Sequence, residues 1–206
     1  RGPVSATVIR GDPARMGEYR PPCVFRTLKP KVYFVGAPST GKSTLARHCA
    51  DAFGGNYCDE FGRDYWFAFQ KDHRLSMEDL EAIAVGHNLR ENLAFASDRP
   101  VSFIDTCNIT TLAYAHYYFG RASEMLECIV RENLWKYAHV FLCSDEIPFE
   151  NTWDRSGPES RGRLQAITIR LLDAYGIPYT VVSGSVEDRA RVVKRYLEEC
   201  NLWRTC

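Results

Sequence analysis

The chain has 206 residues, enough for one substantial core and too few for two full domains. Its 26 Lys and Arg balance 26 Asp and Glu, so no global field draws it onto nucleic acid or anionic lipid. The longest apolar runs are strand-sized, far short of the roughly 20 residues that span a bilayer, and no signal peptide stands out, so a cytoplasmic protein away from membranes is expected.

Residues 1–29 are basic, proline-containing and without apolar periodicity, which reads as a linker or the tail of a preceding unit. With Arg1 in place of an initiating Met, the chain reads as a piece of something longer. Residues 30–206 read as one α/β domain. Short β-branched runs predict strands at Val32–Val35, Asn56–Cys58, Val101–Ile104, His139–Cys143 and Tyr179–Val182. Helical patterns lie between them. Leu45, Cys49 and Phe53 share one face of the first helix. Ser76 and Asp79 make a capping box for a longer one, whose stripe carries Leu80, Ile83, Ala84, His87 and Ala94. Near the C-terminus Val186, Ala190, Val193 and Leu197 recur at helical spacing, with Arg189, Arg191, Lys194 and Arg195 assigned to the solvent side. Strand–helix alternation of this kind predicts a parallel sheet of about five strands covered on both faces, a three-layer sandwich. The eight cysteines include no C-x-x-C pair, and several fall in apolar segments, so free thiols in a reducing compartment fit better than a zinc or disulfide framework.

The first predicted strand runs into "GAPSTGKS", Gly36 to Ser43, a full match to G-x-x-x-x-G-K-S/T in the strand-to-helix context that motif requires. Gly36 and Gly41 allow backbone geometry and close approach that a side chain would block. Main-chain N–H groups of the loop, among them those of Ala37, Ser39, Thr40 and Thr44, would converge on phosphate oxygens, helped by the N-terminus of the helix that follows, while Pro38 removes one possible donor. Lys42 would place an ammonium against the terminal phosphates, and Ser43 could ligate Mg²⁺. The phosphate is therefore that of a nucleoside triphosphate.

Acids beyond the strand ends should face this loop. Asp105 ends the third predicted strand and is the candidate for holding Mg²⁺, with capping of the next helix as the other possibility. After the second strand comes "DEFGRDYW". Glu60 is chosen to accept or orient an attacking hydroxyl, and Asp59 competes for that role. Arg63 could bind substrate or pair with Asp64. Tyr65 and Trp66 could stack on an aromatic ring or join the core. His87 points inward, either as a satisfied core histidine or as a substrate contact. The polar stretch Glu146 to Arg163 carries Arg155, Arg161 and Arg163 ahead of a helix, the composition of a mobile lid that could neutralise charge on a transferring phosphoryl group, or of a solvated loop.

Taken in order, "GAPSTGKSTL", "DEFGRDYW", "AVGHN", "FIDTCNITT", "HYYFG" and "YGIPY" resemble the nicotinamide riboside kinase domain of NadR-type proteins over roughly residues 31–200. The resemblance implies a P-loop kinase fold with an arginine-bearing lid, ATP with Mg²⁺, and transfer to the 5′-hydroxyl of nicotinamide riboside in NAD salvage. Residue by residue, it places the family's phosphate loop on Gly36 to Thr44, its acidic G-R motif on Glu60, Gly62 and Arg63, its helical histidine on His87, its strand-end acid on Asp105 and a lid arginine on Arg155. Together with the residue patterns above, catalytic roles are expected for Lys42, Glu60, Asp105 and Arg155, nucleotide binding for Gly36 to Thr44 with Arg161, and substrate contacts for Asp59, Glu60, Arg63, Trp66, His87 and Asn108. It also implies an adenylyltransferase domain upstream, of whose tail Ser5, Thr7 and Arg10 would be remnants, though no H-x-G-H signature occurs in this chain. Three departures from the family pattern stand out: Asp59 stands where an aromatic is usual, Cys107 where a second acid is usual, and Asn151 and Thr152 where lid acids are usual. These bear on ring stacking and on metal or ribose binding. A kinase for another nucleoside or small alcohol, or a nucleotide-sensing module without turnover, fits the same residues. A GTPase switch fits poorly, because no N-K-x-D-like guanine reader is present.

Overall fold

Along β1 (Lys31–Val35), Val32 and Phe34 enter one buried cluster while Tyr33 and Val35 enter another. That alternation is the two-residue period of a strand buried on both faces. The structure, a computed structural model, describes residues 30–72, 74–96, 99–137, 139–147 and 158–200. Its other strands are β2 (Asn56–Cys58), β3 (Ser102–Asp105), β4 (Val140–Cys143) and β5 (Tyr179–Val182), so each predicted strand is present with ends shifted by at most one residue. All five pair in parallel, in the order β2-β3-β1-β4-β5.

Seven α-helices are described: α1 (Lys42–Ala52), α2 (Phe61–Phe69), α3 (Met77–Phe95), α4 (Asn108–Phe119), α5 (Glu124–Asn133), α6 (Pro158–Ala174) and α7 (Val186–Glu199). Helices α1 and α7 bring Leu45, Cys49, Ala190, Val193 and Leu197 onto Phe34, Phe103 and Phe141 on one face of the sheet. Helices α3, α4, α5 and α6 bring Leu80, Ile83, Ile109, Leu112, Leu126 and Leu172 onto Tyr33, Ile104 and Leu142 on the other. Each fully buried Phe or Leu in these layers contributes about 1.5–3 kcal/mol. The three-layer architecture is thus a direct consequence of strands that are apolar on both faces.

Local signals set the helix starts. Ser76 accepts from the Asp79 amide at 3.2 Å, and the Asp79 carboxylate accepts from the Ser76 amide at 2.8 Å, the reciprocal cap predicted for α3. Ser185 and Asp188 make a second such box at α7. No helix among the described residues is long and apolar enough to cross a membrane.

Two sequence expectations need correction. Arg189 is not on the solvent side of α7: it is 1% exposed and directed into the fold. The arginine-bearing stretch is not loop throughout, because α6 begins at Pro158 and carries Arg161 and Arg163 in its first turns. Arg155, Asn151, Thr152, Ser5, Thr7 and Arg10 lie outside the described residues.

Chain direction reverses around β1. Its crossover through α1 leads out to β2, whereas the connection from β3 passes over to β4 on the far side. The crevice at the carboxyl ends of β1 and β3 is where such sheets bind ligands. Asp105 is held there in register with Phe34, and the next residue's amide, Thr106 N–H, donates to the Phe34 carbonyl at 2.9 Å.

Candidate active site

The loop between β1 and α1 is built tightly against its surroundings. At Gly36, φ is +136° and an added Cβ would lie 2.9 Å from the Cys143 carbonyl oxygen. At Gly41, φ is +80° and a Cβ would meet Ile147 at 3.1 Å. Both positions therefore require glycine. Lys42 Nζ and Thr40 Oγ1 each donate to the Ala37 carbonyl at 2.8 Å, so the ammonium spans the loop it belongs to. The Ala37 amide donates to Gln165 Oε1 at 2.8 Å, and Gln165 Nε2 donates to the Cys143 carbonyl at 3.0 Å, tying the loop to β4 through α6. Helix α1 starts without a side-chain cap and without an acid in its first turn, unlike α3 and α7. Its first amides are left to an anion. Pro38, Ser39, Gly41, Lys42, Ser43 and Thr44 line a cavity of about 400 Å³. Gly36, Ala37 and Thr40 shape the loop from behind.

Asp105 is 1% exposed, and its Oδ1 makes no hydrogen bond among the described residues. An orphaned buried carboxylate oxygen is costly unless something else satisfies it. A hard cation held with phosphate oxygens and Ser43 would do so, and Mg²⁺ would suit a site with few protein oxygens because it keeps waters and phosphate oxygens as its other ligands. The described residues hold no cluster of three or more His, Cys, Asp or Glu, as a transition-metal centre would need. Cys107, which stands in the place of a second acid, is fully buried in the core, where burial pushes its thiol up to about 12. It stays a protonated hydrophobe there.

Beyond the phosphate loop the same cavity is walled by Glu60, Gly62, Arg63 and Trp66 of the β2–α2 region, by Leu75, Leu80, Ile83 and His87, and by Thr106, Thr110, Thr111, Tyr114 and Tyr118. The two competing acids separate. Glu60 lines the cavity, with Oε2 3.8 Å from Arg63 Nη2. Asp59 is outside the lining and pairs with Arg90 Nη1 at 3.1 Å. Arg90 also takes Asp64 at 2.7 Å, so the alternative pairing of Arg63 with Asp64 does not form. The two aromatics separate as well. Tyr65 packs on the core and donates to Asp79 at 2.8 Å. Trp66 lines the cavity with a buried Nε1 that has no hydrogen-bond partner among the described residues. Asn108 is placed behind the wall rather than in it: it is fully buried and donates to Asn88 Oδ1 at 3.0 Å. Thr106 holds a φ of +72°, strained for a β-branched residue, next to the Asp105 carboxylate.

His87 is both core and wall: 2% exposed, yet part of the cavity lining. Its Nε2 stands 3.4 Å from Oε1 of the fully buried Glu91. Glu91 in turn accepts from Tyr33 at 3.1 Å and from Lys136 at 3.4 Å. Burial, with the Arg90 and Lys136 charges adding to it, pushes His87 down to about 4, against the pull of the Thr106 carbonyl. The imidazole is therefore neutral at physiological pH. Burial pushes the Glu91 carboxyl up, opposed by Lys136 and the Tyr33 hydroxyl.

Four residues escaped the sequence reading. Gln165 and Arg90 are described above. Glu91 lies four residues after His87, on the same buried stripe. Arg189 donates from Nη1 to the Thr40 carbonyl at 2.7 Å and from Nη2 to Glu146 at 3.1 Å, and it lines the cavity beside Gly41. The Gly184 amide, with the Ser144 hydroxyl and Arg189, holds the Glu146 carboxyl below its ordinary value. Arg161 is buried and donates to the Ser39 carbonyl at 3.3 Å, which brings one expected nucleotide-binding arginine to the loop.

A doubly covered parallel sheet, a glycine-framed loop from β1 into α1 and an acid ending the neighbouring strand define a P-loop kinase-like nucleotide-binding fold. The family model described as an AAA domain matches residues 31–189, and the chain belongs to that family. The trifunctional NAD biosynthesis/regulator protein NadR of Escherichia coli (strain K12) is 30% identical over 183 residues, which is 87% of this chain and 44% of NadR. The chain thus spans less than half the length of that curated relative. A solved NadR structure in complex with NR superimposes with a TM-score of 0.75 at 23% identity, covering 95% of this chain and 58% of the other. A second, in complex with NAD and AMP-PNP, gives 0.74 at 21% identity, with 98% and 57% covered. At these identities the structural likeness speaks for the fold.

Proposed function

We propose that the chain is an ATP-dependent kinase that phosphorylates the 5′-hydroxyl of nicotinamide riboside, giving nicotinamide mononucleotide and ADP. One observation carries this reading: a single cavity is lined both by the phosphate loop and by a set of aromatic and apolar side chains, and Glu60 is on its wall as well. The curated relative is an NAD biosynthesis protein, and its structural counterparts were solved with NR and with AMP-PNP, which supports the choice of donor and acceptor.

The loop amides and Lys42 hold the β- and γ-phosphates. Asp105 and Ser43 are the residues that would hold Mg²⁺, which when bound neutralises charge on the phosphate oxygens. The 5′-oxygen attacks the γ-phosphorus in line, its proton passes to Glu60, and the bond from γ-phosphorus to the β,γ-bridging oxygen breaks to release ADP. Arg161, and Arg155 from the segment before α6, would balance charge on the transferring group. Trp66 and two tyrosines of α4, Tyr114 and Tyr118, line the same cavity, and a pyridinium ring, with its fixed positive charge, favours such aromatic surroundings. A neutral His87 suits the same neighbourhood because it adds no like charge.

The test is ADP release with Mg²⁺ and ATP across a panel of nucleosides. Nicotinamide riboside should stimulate it most. Stimulation by another nucleoside alone would reassign the acceptor, and tight ligand binding without product would make the chain a sensor.

A further inference from the structure

We propose that Arg189 is a positioning residue for the diphosphate portion of the nucleotide, acting through the Thr40–Gly41 peptide. The inference rests on nucleotide binding by the phosphate loop and is independent of which acceptor is phosphorylated.

Arg189 is 1% exposed, and burying a guanidinium is costly unless its donors are used. They are used on three sides. Nε donates to the Gly184 carbonyl at 3.0 Å, Nη1 to the Thr40 carbonyl at 2.7 Å, and Nη2 to Glu146 Oε1 at 3.1 Å. Its acceptors come from the turn before α7, from the phosphate loop and from the segment after β4. Purely as packing, this site on α7 could be filled by the kind of apolar residue found at Ala190 and Val193. A triply bonded charge there has a geometric use.

That use follows from the peptide it grips. A trans peptide is planar, with its carbonyl and amide pointing opposite ways. Gly41 has a φ of +80° and no side chain, so the Thr40–Gly41 unit has more than one open orientation unless something outside the loop selects one. The bond from Arg189 fixes the Thr40 carbonyl toward α7. By the planarity of the peptide the Gly41 amide then points away from the Thr40 carbonyl, and Gly41, Lys42 and Ser43 line the cavity at the start of α1, a helix with no side-chain cap. Donors fixed before the ligand arrives bind it without a reorganisation cost. Glu146 steadies the guanidinium from the outside.

Calorimetric titration of wild type, Arg189→Lys and Glu146→Gln with ADP and with AMP tests this, alongside melting curves without nucleotide and steady-state kinetics. A lysine keeps the charge but cannot reach three acceptors. Arg189→Lys should weaken ADP about tenfold and leave AMP within about twofold, raising KM for ATP but not for the acceptor. Glu146→Gln should shift ADP in the same direction by less, since Glu146 is half-exposed and the amide oxygen still accepts from Gly184. Equal losses for ADP and AMP, or unchanged ADP affinity in a folded Arg189→Lys protein, would overturn the proposal. If Arg189→Lys fails to fold, the absence of an ADP-selective loss in Glu146→Gln overturns it. A wild-type protein that binds neither ADP nor AMP would instead overturn the nucleotide-binding reading of the loop.

Discussion

Arg90 Nη1 stands 3.1 Å from Asp59 Oδ1, and that contact separates two adjacent carboxylates that chain order alone leaves equivalent. The same guanidinium donates to the Glu60 carbonyl at 3.3 Å and pairs with Asp64 at 2.7 Å, fixing the backbone so that Glu60 lies on the cavity wall. Glu60→Gln should therefore lower kcat by about 10²–10³ with little change in nucleotide affinity. Asp59→Asn should cost less than about fivefold, because it removes an exposed ion pair. Steady-state kinetics on both variants decide between the acids.

Lys42 donates to the Ala37 carbonyl across the loop and has no partner role in the core beneath α1. Lys42→Met should lower kcat/KM for ATP by about 10²–10³. Its melting temperature should stay close to that of wild type, since Leu45, Ala46 and Cys49 still pack α1 onto the sheet.

Much of this was readable from the chain. The short apolar, β-branched run over Val32–Val35 and the Ser76–Asp79 box are local signals, and local physics is enough to place β1 and α3. The spacing of His87 points it inward, and it is buried. Arg189 and Glu91 share one difficulty: a charged side chain suggests solvent where its helical spacing points to the core. Arg189 is three residues after Val186 and four before Val193, and Glu91 is four after His87, so both sit on their helices' buried stripes. Only partners distant in sequence, Thr40 for one and Tyr33 with Lys136 for the other, make those positions tolerable. Arg90 and Gln165 gave no such signal. Their roles come from contacts between elements, Arg90 with the Asp59–Asp64 segment and Gln165 with the start of the phosphate loop, which no local pattern encodes.

Trp66 projects from α2, a helix with no fully buried residue, into the cavity wall. Trp66→Ala should raise KM for the nucleoside about three- to tenfold, the worth of one aromatic contact, and leave KM for ATP unchanged. An equal rise in both would place the indole outside the acceptor's binding surface.

His87 gives the fold a definite acid sensitivity. In the unfolded chain it takes up a proton below its ordinary 6.5, whereas in the folded state burial delays protonation to about 4. Between those values the unfolded state holds more protons, so stability falls as pH drops from 6.5 to 4, by about 3 kcal/mol in all. Urea midpoints measured across that range for wild type and His87→Gln check this: the variant should lose markedly less stability over the window. Parallel curves would mean that the acid loss arises elsewhere.

The most direct measurement is ³¹P NMR of a mixture of the protein, Mg²⁺, ATP and nicotinamide riboside. Loss of the γ-phosphate resonance should be matched by ADP and by one phosphomonoester resonance of nicotinamide mononucleotide, and Glu60→Gln should slow both together. Inorganic phosphate in place of the monoester, or an unchanged ATP spectrum, would contradict phosphoryl transfer within this cavity.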